Sequence, residues 1–376
     1  MDKTKKHFFL IDSFRGIASV WLAAFHILPS YLSDSGWLLS LIEFGRIGTD
    51  FFFVASGFVS AIACYKILNS YQNSEFTLKR MKKIYSLYLY SLTLALFVVP
   101  FLISLVSFLK SQELVFEFNI PTLYELFLYV SLLKVFTSET WSLHQAFVNI
   151  NGVYWFIAVM VQIYLFLGIA LRFKQKFYII LTITFFLSLL CLVEGFRQHL
   201  SVGLFLPHFS KFFIGMALYF FILKRPIHQK HLVTSVLVVT CISLLGLVIY
   251  LHINEFKGYG FRLLSALTVA LFLYLLYPLD SLIKNSIAGK ATLWLGRFSF
   301  STYLNHVIFW PFIYMFVSNL IPFPLSISAP LVLLPLVILC CFISHKFFDN
   351  PGLSYYLKHL KRFFFAGLNR ISSLRP

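Results

Sequence analysis

The sequence predicts an all-α, polytopic transmembrane bundle of about ten spans, with one short re-entrant or interfacial segment. Three observations carry that prediction. Apolar runs of about 20 residues recur along the chain, each long enough to cross a hydrocarbon core of about 30 Å. Of the 376 residues, 59% are hydrophobic, 46 are Phe and only 12% are charged. Positive charge is dense in alternate connecting segments and sparse in those between. Inside lipid the backbone must satisfy its own hydrogen bonds, so the spans are helices. The short alternating segments of an outer-membrane barrel do not occur in the sequence.

The spans are expected at 8–30, 47–65, 84–109, 153–171, 177–194, 205–223, 232–252, 261–279, 299–320 and 327–345. The first follows Lys3, Lys5 and Lys6 and contains Asp12, Arg15 and His26, a poor signal-peptide core and so a retained helix. The stretch 123–136, about 14 residues, is too short to cross and reads as re-entrant or interfacial. With a cytoplasmic N-terminus, most of the 31 Lys and Arg fall inside. Outside are Arg46, Lys110, Lys134, Arg197, Lys257 and Arg262. That asymmetry follows the positive-inside rule and places both termini in the cytoplasm. Residues 1–348 then form the membrane domain and 349–376 a basic tail along the inner surface. The net charge of +17 is explained by topology, with anionic membrane lipids as secondary partners and no nucleic acid required. The five cysteines lie inside spans without CxxC spacing, and read as small apolar residues rather than disulfides or a metal site.

Three polar features interrupt the apolar pattern. In the first span Arg15 and His26 are eleven residues apart, about 20° around the axis and about 16 Å in depth. Asp12 and Ser19 share their stripe, which must face the protein interior or a wet cavity. The plainer reading pairs Asp12 with Arg15 near the inner interface and lets His26 snorkel at the outer one. The second span begins GRIGTDFFFVASGFVSA and places Asp50 near its outer end, at the expected depth of His26. A carboxylate there would fix the imidazole tautomer, as a general base or a nucleophilic histidine needs; alternatively it caps the helix. Before the third span, Lys79, Arg80, Lys82 and Lys83 cluster at the inner surface. That cluster is either a topology signal or, beside Arg15, a cradle for a polyphosphate-bearing donor.

Taken in order, these pieces resemble the acyltransferase 3 family of integral-membrane acyltransferases. The matching residues are Arg15 and His26 (R-x10-H), then Gly48, Asp50, Phe52, Phe53, Ser56, Gly57 and Phe58 in the second span. Arg80 and Lys83 stand where the family often has R-x-x-R; Lys83 keeps the charge but not the bidentate geometry. Further on come Phe212, Phe213, Gly215 and Met216, then Phe298, Ser299, Ser301, Tyr303, Leu304 and His306, and last Asp349 and Pro351. The resemblance implies an acyl-CoA donor, often acetyl-CoA, bound on the cytoplasmic side of the inner membrane. It implies transfer to a hydroxyl of a cell-envelope carbohydrate or lipid-linked glycan. On this reading His26, Arg15 and Asp50 carry catalysis, Arg80, Lys83 and Lys79 hold the donor, and no metal takes part. Many polysaccharide-modifying members carry W-x-L-x-x-E; here Trp141 is followed by Ala146 and Trp155 by Met160, with Gln162 the nearest polar candidate. The rival class is a transporter or flippase for an envelope glycan, which ten spans and intramembrane charge also suit.

Overall fold

The computed structural model describes residues 8–32, 36–70, 75–102, 104–105, 121–137, 147, 150–193, 196, 203–224, 231–254, 258–320 and 329–349. Trp141, Ala146, Pro351 and the tail 350–376 lie outside them. Among the described residues the regular structure is all helical. The chain enters through α1 (Phe9–Ile27), passes a short α2 (Trp37–Glu43) and returns along α3 (Gly48–Ser70). Next come α4 (Phe76–Thr93), α5 (Leu123–Val130), α6 (Tyr154–Ala170), α7 (Phe177–Leu189) and α8 (Leu206–Lys224). Then follow α9 (His231–Ile253), α10 (Tyr259–Leu276), and two short helices, α11 (Asp280–Asn285) and α12 (Ile287–Arg297). They lead into α13 (Ser299–Leu320) and α14 (Leu334–Ser344).

Among the described residues, seven helical stretches are long and apolar enough to cross a membrane, and Tyr154–Ala170 and Leu206–Ile222 are shorter apolar helices. The 22-residue α13, with Pro311 inside it, coincides with the expected stretch 299–320. The molecule is therefore a multi-pass helical membrane bundle. Within the stretch 123–136, α5 has eight residues and rises about 12 Å, less than the thickness of a hydrocarbon core. Its start is fixed by a capping box between Thr122 and Glu125. Hydrogen bonds from the Thr122 amide and hydroxyl hold the Glu125 carboxyl below the usual carboxylate range.

In lipid, apolar surface alone does not drive helices together, so close approach and buried polar contacts matter more. Helix α1 packs against α3, α12 and α13, and α3 packs most extensively on α8. Glycine makes both approaches possible. A Cβ on Gly16 would meet the backbone of Thr292 and Gly296, and one on Gly296 would meet the Asp12 carbonyl. On the other side of α3, a Cβ on Gly57 would collide with the Phe212 carbonyl, and one on Gly215 with that of Val54. Helix α13 is pinned by side chains reaching its backbone or reaching out from it. Asn151 Nδ2 donates to the Leu304 carbonyl (2.7 Å), Tyr303 Oη to Val153 (3.1 Å), and Ser301 Oγ to Cys341 (3.1 Å). Each such bond contributes about 0.6 kcal/mol in a membrane. Phe52, Phe53, Phe156 and Tyr303 stack edge-on and tilted into an aromatic layer between them.

Candidate active site

A cavity of about 600 Å³ opens at the end of the bundle where α1 begins. That lies within the usual range for a small-molecule site. Four cations line it: Arg15 from α1, Arg80 and Lys83 from α4, and Arg297 from the last turn of α12. Asp12, Ser56, Tyr164, Ser301 and His345 complete its polar wall. The close approach at Gly16 and Gly296 brings α12 against α1, and so brings Arg297 to the same cavity as Arg15.

The cations are individually oriented. Arg15 Nη1 lies 3.5 Å from Asp12 Oδ1, with both side chains about one-third exposed (28% and 33%). This is the i, i+3 pairing anticipated for the inner interface, but its members face the cavity rather than ending there as an isolated pair. Arg80 Nη2 donates to the Val59 carbonyl at 3.2 Å, and its guanidinium lies over the rings of Phe76 and Tyr164. Four cations facing one carboxylate leave a net positive pocket open to water. Its chemistry matches a phosphate-bearing ligand, for which arginine forks supply paired donors. Lys79 is not part of it: its ammonium pairs with Glu75 at 3.3 Å on the surface, where the two side chains are 76% and 65% exposed.

His26 sits in the last turn of α1, deeper along the stripe that Arg15 begins. Its ring centroid lies 5.2 Å from that of His306, at an interplanar angle of 36°. His306 is fully buried, and its Nδ1 is 2.8 Å from the Thr302 carbonyl. A carbonyl only accepts, so Nδ1 carries the proton and Nε2 presents a lone pair. Among the described residues that Nε2 has no hydrogen-bond partner.

Asp50 lies in the first turn of α3, and its carboxylate is held by two cations. Lys211 Nζ is 3.0 Å from Oδ1, and Arg262 Nη1 is 3.3 Å from Oδ2. In place of the expected pairing with His26, Asp50 forms an ion triad joining α3, α8 and α10, while the His26 ring lies near those of Phe25 and His306. Asp50 is fully buried and the Lys211 side chain only 4% exposed. The Lys211 ammonium lies over the Phe53 ring at 4.6 Å and neutralises a buried carboxylate. Tyr154 is also fully buried, with its hydroxyl 2.9 Å from Ser91 Oγ. Gln162 is a structural clamp: Nε2 donates to the Gly203 carbonyl and Oε1 accepts from the Phe205 amide.

Arg297 and His345 were not legible as site residues in the sequence. Arg297 registers there only as one more basic loop position, and His345 is the last residue of the final expected span, with no signal to mark it out. Among the described residues no group of three His, Cys, Asp or Glu is placed to hold a metal ion.

A multi-pass bundle with a cationic cavity at one end, and an imidazole pair formed further along by His26 of α1 and His306 of α13, has the parts of a membrane-embedded group-transfer enzyme. The model of the acyltransferase 3 family, described as an acyltransferase domain, matches residues 9–346. The chain belongs to that family and is a membrane acyltransferase. No curated protein and no solved structure matches it.

Proposed function

We propose that this protein moves an acyl group, acetyl above all, from acyl-CoA to a hydroxyl of a cell-envelope carbohydrate or lipid-linked glycan. The supporting observation is that one helix carries both ends of the route, with Arg15 in the cationic cavity and His26 in the last turn. The cavity end faces the cytoplasm, where acyl-CoA is made, and the membrane is the inner one; the charge distribution along the sequence supports both. Arg80, Lys83, Arg15 and Arg297 hold the phosphates of CoA, and the acyl-bearing arm extends along the α1 stripe. At its end His26 works on the transfer, as base toward the acceptor hydroxyl or as a nucleophile that carries the acyl group briefly. Asp50 serves the architecture through its two cations and does not orient His26.

Purified protein incubated with labelled acetyl-CoA and envelope glycan tests the reading. Free CoA and acetylated glycan should appear together. Movement of glycan across a proteoliposome membrane without consumption of acetyl-CoA would overturn it in favour of a carrier.

A further inference from the structure

We propose that His306 is the positioning residue for His26, accepting its ring N–H through Nε2 during acyl transfer. The inference rests on the reading of His26 given above and assigns His306 a part in it. Whether base or nucleophile, a working imidazole needs one unprotonated nitrogen facing substrate and its other nitrogen held by an acceptor. The carboxylate of Asp50 is bound by Lys211 and Arg262.

His306 offers what is needed. Its hydrogen bond to the Thr302 carbonyl fixes the proton on Nδ1 and turns Nε2 into an acceptor. That acceptor is buried, without a partner among the described residues, and a buried acceptor left unpaired costs free energy unless something fills it. The neighbouring imidazole is that of His26, 5.2 Å away between ring centroids. Hydrogen bonds of this kind are often long without substrate and tighten when it binds. The position of His306 is well defined: Asn151 grips the carbonyl of Leu304 two residues before it, and Tyr303 reaches Val153.

In the base form, the free nitrogen of His26 takes the proton of the acceptor hydroxyl as its oxygen bonds to the thioester carbonyl carbon. The C–S bond then breaks, and the proton passes from His26 to the departing CoA thiolate. The other N–H of His26 stays on His306 Nε2 throughout, so His306 remains neutral and gains no proton. A neutral acceptor orients the ring without placing a second charge in the membrane interior.

The test compares His306→Phe, which keeps a ring but no acceptor, with His306→Gln, whose side-chain oxygen can accept near the Nε2 position. Both are assayed for kcat and for KM toward acetyl-CoA, with accumulation in the membrane measured alongside. His306→Phe should lower kcat by about a hundredfold, the lower end for losing a proton-transfer arrangement. KM for acetyl-CoA should stay within about twofold, because the donor cavity is lined by other residues. His306→Gln should recover kcat to within about tenfold of wild type. Wild-type kcat in His306→Phe overturns the proposal. So does an equal loss in both variants, whether of rate or of accumulation, since that marks a purely structural histidine. If His26→Ala keeps full activity, the assignment of His26 itself fails; if only that variant is inactive, only the role of His306 fails.

Discussion

The ammonium of Lys211 lies 3.0 Å from the carboxylate of Asp50, with almost no solvent reaching either. Arg262 closes on the other carboxylate oxygen at 3.3 Å. The triad ties α3, α8 and α10 together at the end of the bundle remote from the donor cavity.

Breaking it should cost stability more than chemistry. Asp50→Asn leaves two cations without their counter-charge and should destabilise the protein by about 3–5 kcal/mol. Adding Lys211→Met removes one of the orphaned charges and should restore part of the loss. Thermal unfolding in detergent, read for each variant, checks both directions. Equal stability of Asp50→Asn and wild type would show that the triad does not hold the fold.

The donor cavity makes a charge-specific prediction. Arg80→Ala combined with Lys83→Ala should raise KM for acetyl-CoA by at least about tenfold, as two charge-assisted contacts worth about 1.5–3 kcal/mol each are lost. Arg297→Ala should act in the same direction. Lys79→Ala should leave KM unchanged, because that side chain pairs with Glu75 outside the cavity. Steady-state kinetics across the three variants separates these outcomes, and the wild-type KM should also rise with salt.

Helix contact at Gly57 and Gly215 gives a packing prediction. Gly57→Ala or Gly215→Ala pushes a methyl group into the facing backbone, and should cost about 1–3 kcal/mol. Gly246 in α9 has nothing within 4 Å of the site of its missing Cβ. Gly246→Ala should therefore stabilise the helix, by up to about 1 kcal/mol. Melting temperatures of the three variants, taken side by side, check the contrast in sign.

Orientation can be read by labelling. Trp37, 77% exposed at the start of α2, lies at the end opposite the donor cavity. Lys290, exposed on α12, lies at the cavity end. An impermeant maleimide added to intact cells should label Trp37→Cys and should reach Lys290→Cys only after permeabilisation. The reverse pattern would invert the topology.

Much of this architecture was legible in the sequence because the signals are local. A span announces itself by about 20 apolar residues, and the expected boundaries fall close to those of α1, α3, α6, α9 and α13. The facing of Arg15 and His26 follows from helical period alone. Arg80 and Lys83, three apart at the start of α4, share a face for the same reason. What the sequence hid depends on which helices meet. Asp50 was matched to His26 on the assumption that consecutive helices supply each other's partners. At the level of Asp50, α3 is instead flanked by α8 and α10, which bring Lys211 and Arg262. The pairing of Lys211 with Asp50 is hidden because the two are distant in sequence. The contact of His26 with His306, and the arrival of Arg297 in the cavity, likewise depend on packing across the whole length of the chain.

The central claim is that His26 performs acyl transfer from a donor held in the cationic cavity. The most direct measurement is CoA release from acetyl-CoA by purified His26→Ala protein, in the presence of envelope glycan and matched to wild type for membrane accumulation and acetyl-CoA binding. The account predicts unaltered binding with turnover reduced by at least about a hundredfold. Wild-type turnover in His26→Ala would contradict it.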